Sequence, residues 1–177
     1  MNANAIKSGV ILAVIGIVIS LLIYLIDFTI FANWWYQLLL MNAISIGITA
    51  YFGVTYRNEN DGFLSFGKSY VYSIICLLVA GVVGTIFSIL LFTVIDPELS
   101  VTLTDVIIEK TESMMAGFGA PQDAIDEQME KLRTDMPENF SVGGMIKSFF
   151  TGGLIMNAII ALIAALFIKK KEPEFEG

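Results

Sequence analysis

Four long runs of apolar residues, separated by polar segments, dominate the pattern along this chain of 177 residues. A bilayer core about 30 Å thick takes roughly 20 apolar residues of helix to cross. Each run reaches that length and carries no charge through its centre, so the pattern predicts four membrane-spanning helices. Their expected bounds are about 6–26, 34–56, 69–95 and 145–168.

The connection between the third and fourth runs is far longer than the others, and its pattern is helical. Asp96-Pro97-Glu98 is typical of a helix start, with Asp as the N-cap and Pro at the first helical position. Gly117 to Pro121 then interrupts the helix, and we predict an amphipathic helical hairpin over about 97–138. Apolar residues at helical spacing should form its buried stripe: Leu99, Leu103, Val106, Ile107, Met114, Phe118, Ile125, Met129, Leu132 and Met136.

The composition agrees with this pattern, because 56% of the residues are hydrophobic and only 15% are charged. Soluble domains run about 45–50% apolar and about 25% charged. We therefore expect an all-α protein in which residues 1–177 form a single membrane domain. Its fold class is an integral membrane four-helix bundle with an extracytoplasmic amphipathic helical hairpin between the third and fourth spans.

The basic residues predict the orientation of the bundle. Lys7, Arg57, Lys68 and the lysines at 169–171 all fall on the side that holds both termini. Short cytoplasmic loops are enriched in Lys and Arg, so both termini should face the cytoplasm and the acidic hairpin the opposite side. The Trp34-Trp35-Tyr36 segment then marks the outer interface. The expected location is the bacterial inner membrane, in multi-pass form.

The composition also narrows the possible chemistry. The chain has no histidine and one cysteine, so it can form neither a Ser-His-Asp triad, nor an imidazole metal site, nor an internal disulfide. The net charge of −7 argues against nucleic acid as a partner. We expect no catalytic residue, no metal and no cofactor. The expected partners are membrane lipid and a membrane protein, which could be a second copy of this chain.

A few uncharged polar residues lie within the predicted spans, whereas no ionisable residue lies at the centre of any span. Ion-coupled transporters usually hold ionisable groups there, so their absence disfavours that class. Asn42, Ser45 and Thr49 share one face of the second helix, and Asn157 lies on a small-residue face of the fourth. These residues either line a polar groove or form interhelical hydrogen bonds, and we favour the hydrogen bonds. The full set is Ser20, Asn42, Ser45, Thr49, Thr85, Ser88 and Asn157.

The order of several short motifs resembles a known bacterial membrane family. These motifs are Arg57, Gly62-Phe63-Leu64-Ser65-Phe66-Gly67-Lys68, Ile95-Asp96-Pro97-Glu98, an acidic Met-rich stretch and the terminal lysines. The family is catalogued as domain of unknown function four-one-nine-nine, and the resemblance covers essentially the whole chain. It implies a small inner-membrane protein of Gram-negative bacteria without an established activity. It also implies a gene often found beside a glycosyltransferase.

The functional expectation is a non-enzymatic membrane component that acts by contact, as an accessory or anchoring subunit for a membrane-associated enzyme such as a glycosyltransferase. The alternative is a small carrier or channel for a lipid-linked or small polar solute, which would use the Asn42-Ser45-Thr49 face. The orientation of that face distinguishes the two hypotheses. Asp96 and Pro97 are expected to be structural, as the start of the hairpin.

Overall fold

A computed structural model describes residues 1–33 and 35–172 of the chain. Within these residues the regular structure is helical, apart from one isolated β-bridge between Leu64 and Lys170. The α-helices are α1 (Asn2–Asp27), α2 (Asn42–Glu59), α3 (Phe66–Leu90), α4 (Glu98–Gly117), α5 (Gln122–Asn139), α6 (Val142–Ser148) and α7 (Leu154–Ile168). The predicted all-α fold is therefore confirmed.

Four continuous helical segments are long and apolar enough to cross a membrane, as expected of a multi-pass membrane protein. Short 3₁₀ and π-helical segments extend or interrupt the α-helices within them. The expected start of the second span, Trp34, lies outside the described residues. The four segments are Asn2–Ala32, Leu38–Glu59, Phe66–Ile95 and Val142–Ile168.

The four spans pack as a bundle in which α1 lies against α3, α3 against α7, and α7 against α2. The backbones of α1 and α3 approach closely at Gly9, where a Cβ atom would lie 2.5 Å from the Cys76 carbonyl oxygen. Nearby, the buried Tyr72 hydroxyl bonds to Ser8 Oγ at 2.8 Å and donates to Asn4 Oδ1 at 3.0 Å. The start of α1 is therefore fixed against the start of α3.

The start of α1 and the end of α7 lie at one end of the bundle, which we call the terminal end. Arg57 donates from Nη1 to the Ile168 carbonyl oxygen at 2.7 Å and so satisfies an unpaired carbonyl at the end of α7. Leu64 and Lys170 exchange two backbone hydrogen bonds of 2.9 Å. The α2–α3 loop and the C-terminal tail are thus held together.

The opposite end, which we call the hairpin end, carries α4 and α5. Leu99 and Leu103 pack on the bundle, whereas Ile125 and Met129 pack on α4. The predicted stripe is wrong at its far end, since Met114 is 46% exposed and Phe118 is 85% exposed. Phe118 follows the last residue of α4, and Met114 borders an open cavity lined by Phe31, Trp35 and Ile107 instead of being enclosed.

Lys110 attaches the hairpin to the turn between the first two spans. Its Nζ donates to the Thr29 carbonyl oxygen at 3.0 Å and to Asn33 Oδ1 at 2.8 Å. The Thr29 carbonyl belongs to a 3₁₀ helix, Phe28–Ala32, and a cation stabilises such carbonyl groups near a helix end. No pattern in the sequence indicated that this turn would be the docking point for α4.

Three of the spans contain π-helical segments, all in the half nearer the hairpin end. They are Tyr36–Met41, Leu91–Ile95 and Phe149–Gly153. In the second of them, the Asp96 N–H bonds to the Leu91 carbonyl oxygen five residues back, at 2.9 Å. Such bulges bend a helix and are often found at functional sites.

Candidate functional site

The polar face of the second helix divides between two environments. Asn42 donates to the Leu38 carbonyl oxygen and Ser45 to the Met41 carbonyl oxygen, each at 2.8 Å within its own helix. The prediction of interhelical hydrogen bonds for Asn42 and Ser45 is therefore wrong, because both side chains bond back to the preceding turn of their own helix. Thr49 is buried and does reach another helix, with its Oγ1 3.9 Å from Cys76 Sγ.

Asn42 and Ser45 line a groove of about 520 Å³ between α2, α3 and the fourth span, which we call the polar groove. Its upper edge is formed by the junction of α5 and α6. The groove combines aromatic and aliphatic surface with a set of hydroxyl and amide groups. Its polar lining consists of Asn42, Ser45, Thr85, Ser88, Asn139, Ser148 and Asn157.

Two smaller cavities adjoin the polar groove and share lining residues with it. One, of about 240 Å³, lies between the first three spans and shares Ser45, Ser88 and Asn157 with the groove. The other, of about 300 Å³, lies beneath α4 and shares Ser88 and Phe140. No charged residue lines any of the three. The spans therefore enclose an uncharged, partly polar space on the hairpin side.

The glycines of α3 create part of this space. Gly84 lines the polar groove, and a Cβ atom there would meet nothing within 4 Å. At Gly81, by contrast, a Cβ atom would lie 2.7 Å from Phe149 Cε2 and 3.3 Å from Asn157 Nδ2. Gly81 thus allows the fourth span to approach closely, while Gly84 leaves the groove open.

Asn157 and Ser88 bring unused hydrogen-bonding capacity into the groove. No hydrogen bond between described residues involves either side chain, and both are partly exposed to the groove. An amide offers two donors and two acceptor sites, and leaving them unpaired in an apolar medium is costly. Water or a bound polar group must therefore satisfy them.

The polar groups lie at different depths within the spans. Ser88 is about two helical turns, roughly 10 Å, from Ile95, whereas Asn42 is about one turn, roughly 6 Å, from Leu38; these two residues are the hairpin-end limits of their spans. Asn157 lies deeper, about three turns before Ile168, the last residue of α7. Two π-helical segments adjoin the groove: Tyr36–Met41 ends next to Asn42, and Phe149 and Gly153 of the other segment line the groove.

Two groove residues, Asn139 and Ser148, were not identified from the sequence. Asn139 ends α5, in a connection whose lining role depends on how the hairpin folds back. Ser148 lies on the fourth span, immediately before its π-helical segment. Helical periodicity alone does not identify either residue as part of a groove. The available signal was their polarity, since Ser148 lies within the predicted fourth span and Asn139 lies shortly before it.

Asp96 and Pro97 lie at the start of α4. Asp96 Oδ1 accepts from the Leu99 backbone N–H at 3.1 Å, and Oδ2 accepts from the Tyr24 hydroxyl at 2.9 Å. Pro97 has helical backbone angles and directs the chain into α4. Neither residue lines the polar groove. The polar residues predicted from the sequence that come together there are Asn42, Ser45, Thr85, Ser88 and Asn157.

No group of three or more acidic, cysteine or histidine side chains within the described residues is arranged to hold a metal ion. The acidic face of α5 lies in solvent, where Lys131 Nζ is 3.4 Å from Glu127 Oε1. The polar groove itself offers hydrogen bonds from hydroxyls and amides but no charged acid or base. Its chemistry is that of recognition, with apolar surface beside neutral polar groups.

These features define an all-α protein with four candidate membrane spans, a helical hairpin and an uncharged cavity among the spans. The family model described as "Protein of unknown function (DUF4199)" matches residues 7–170, and the chain belongs to that family. The resemblance seen in the sequence is thereby confirmed. No curated protein and no solved structure matches the chain.

Proposed function

We propose that the protein is a non-enzymatic component of the bacterial inner membrane that binds a neutral amphiphile in the polar groove. The ligand class has an uncharged head bearing hydroxyl or amide groups and an apolar chain, as in a lipid-linked or small polar solute. One observation carries the proposal. The Asn42 and Ser45 side chains line a cavity instead of bonding to neighbouring helices, and Asn157 lies opposite with its amide unpaired among the described residues.

The uncharged lining supports the choice of a neutral head. A phosphate or carboxylate in this groove would lose its hydration and would meet no Lys or Arg. Hydroxyl and amide groups, by contrast, would pair with the side chains of Asn157 and Ser88. Aromatic residues of the groove such as Phe92 and Phe149 offer apolar surface for a chain.

The proposed orientation has both termini in the cytoplasm and the hairpin on the other side of the membrane. Lys68, Arg57 and Lys169 at the terminal end support it through the positive-inside rule. Cysteines placed at Asn60 and Gln122 in a Cys76→Ser background should then react with a membrane-impermeant reagent from opposite sides. Reaction of both from the same side would contradict this orientation.

A matched pair of glycine variants tests ligand binding. Gly84→Leu places a side chain in the groove, whereas Gly152→Leu places one on the exposed surface of the fourth span, where a Cβ atom also meets nothing within 4 Å. We expect Gly84→Leu to abolish co-purification of the amphiphile in mild detergent, measured by native mass spectrometry, and Gly152→Leu to retain it. Equal retention by both variants would contradict the groove as the site.

A second candidate function is that of an accessory or anchoring subunit for a membrane-associated enzyme, for example a glycosyltransferase. It is supported by Ala43 and Gly47, which lie four residues apart on α2 and are both exposed. Small residues at this spacing permit close approach of another helix. Affinity capture from native membranes should then recover a defined membrane partner, and Gly47→Leu should lose it while Gly152→Leu keeps it. Recovery of the protein alone would contradict this function.

A further inference from the structure

A separate cavity, at the terminal end of the bundle, is lined by three lysines from two distant parts of the chain. Lys68 lies in the first turn of α3, whereas Lys170 and Lys171 follow α7. The cavity has a volume of about 540 Å³, and Glu172 is the one carboxylate that lines it among residues 1–33 and 35–172. It shares no lining residue with the polar groove, and its lining is charged whereas that of the groove is not.

The backbone holds the lysines of the tail in position. The two hydrogen bonds between Leu64 and Lys170 attach the tail to the α2–α3 loop, and Arg57 fixes the last carbonyl of α7 beside it. Lys170 Nζ lies 5.4 Å from the ring centre of Phe63. Aromatic rings attract and orient ammonium groups at such distances. Because the lysine side chain is already oriented, it loses less conformational entropy on binding an anion than a lysine of an unattached tail would lose.

The cavity lies directly beyond the apolar parts of two spans. Ile168, the last residue of α7, is fully buried, and the lysines follow it immediately. In a bilayer this position corresponds to the level of the lipid head groups. The start of α3 also faces this level, and its Ser65 N-cap residue lines the cavity. Positive charge is therefore concentrated where phosphate groups occur.

We propose that this cavity binds the phosphate of an anionic membrane lipid, with Lys68, Lys170 and Lys171 as the charged contacts. Lysine binds phosphate as a compact charge with several donors. Clusters of lysines next to a membrane span attract anionic lipids, and each lysine of the cluster adds to the attraction. Phe63 supplies apolar surface at the edge of the cavity, which favours a lipid over a soluble phosphate.

The test uses the full chain in mild neutral detergent, titrated with phosphatidylglycerol or phosphatidylcholine and measured by native mass spectrometry. We expect the wild-type protein to prefer phosphatidylglycerol by roughly tenfold or more, with the preference falling as salt is raised. Replacing Lys68, Lys170 and Lys171 with Gln should remove the preference, while replacing them with Arg should retain it. Absence of a preference in the wild-type protein would overturn the proposal, whatever the variants do.

A matched control replaces three bases of the hairpin end, Lys131, Arg133 and Lys147, with Gln. This changes the net charge by the same amount, so the preference should survive. If it were lost equally, general charge and not the cavity would be responsible, and the proposal would fail. Soluble glycerol phosphate at millimolar concentration should not displace the lipid. Displacement would assign the cavity to a free phosphate compound and overturn the lipid assignment.

Discussion

The Tyr24 hydroxyl donates a hydrogen bond of 2.9 Å to Asp96 Oδ2, joining the first span to the end of the third. The other carboxylate oxygen of Asp96 accepts from the Leu99 backbone N–H at 3.1 Å. One side chain thus both caps α4 and connects two spans. The hairpin above the polar groove is positioned through this residue.

Substitutions at Asp96 should separate these two roles. Asp96→Ala removes both hydrogen bonds and should lower the free energy of unfolding by about 1–3 kcal/mol. Asp96→Asn should cost less, because the amide oxygen can still cap Leu99 while its NH₂ group donates to Tyr24. Thermal unfolding in detergent measures the difference between the two variants. Glu98→Ala, a substitution of the neighbouring exposed residue, is the control. Equal losses for Asn and Ala would mean that the negative charge itself is required.

The close contact between α1 and α3 gives a second prediction. Gly9→Ala places a Cβ atom against the Cys76 carbonyl oxygen and should destabilise the bundle by about 1–3 kcal/mol. Gly16→Ala is the matched control, because a Cβ atom there meets nothing within 4 Å. It should be neutral or stabilise α1 by up to about 1 kcal/mol. If the two variants unfold at the same temperature, the helices are not packed as closely as described.

Lys110 provides a third prediction, which concerns the attachment of the hairpin. Lys110→Met removes both hydrogen bonds to the turn at Thr29 and Asn33 while preserving most of the apolar stem. The hairpin should then move more freely. Amide hydrogen exchange of α4 should rise clearly in this variant and stay unchanged in Lys131→Met, whose lysine is exposed on α5. Unchanged exchange in both would show that apolar packing alone holds the hairpin.

The sequence was sufficient to predict the helices of this fold but not the cavities between them. Uninterrupted apolar runs identify the spans, and the Asp96-Pro97 pair identifies the start of the hairpin, because these signals are local. The π-helical segments are not encoded by a comparably simple pattern. Nor could the partners of Asn42 and Ser45 be predicted, since both side chains bond back to carbonyl oxygens of their own helix.

The candidate site could likewise be predicted only in part. Asn157, Asn42 and Ser45 were selected because neutral polar side chains are few in the spans, yet their convergence depends on how the helices pack. Asn139 joins them through the fold of the hairpin, which no periodicity describes. Lys170 illustrates the same limit, since its pairing with Leu64 across the terminal end has no local signal.

Photo-crosslinking from within the polar groove tests the central claim most directly. A photoreactive phenylalanine analogue would replace Phe92, which lines the groove, or Phe150, which lies on the exposed surface of the fourth span. After irradiation in native membranes, mass spectrometry would identify the attached molecules. We expect Phe92 to yield one defined amphiphile with an uncharged head, and Phe150 to yield the mixture of bulk phospholipids. The same phospholipid mixture from both positions would contradict the proposed function.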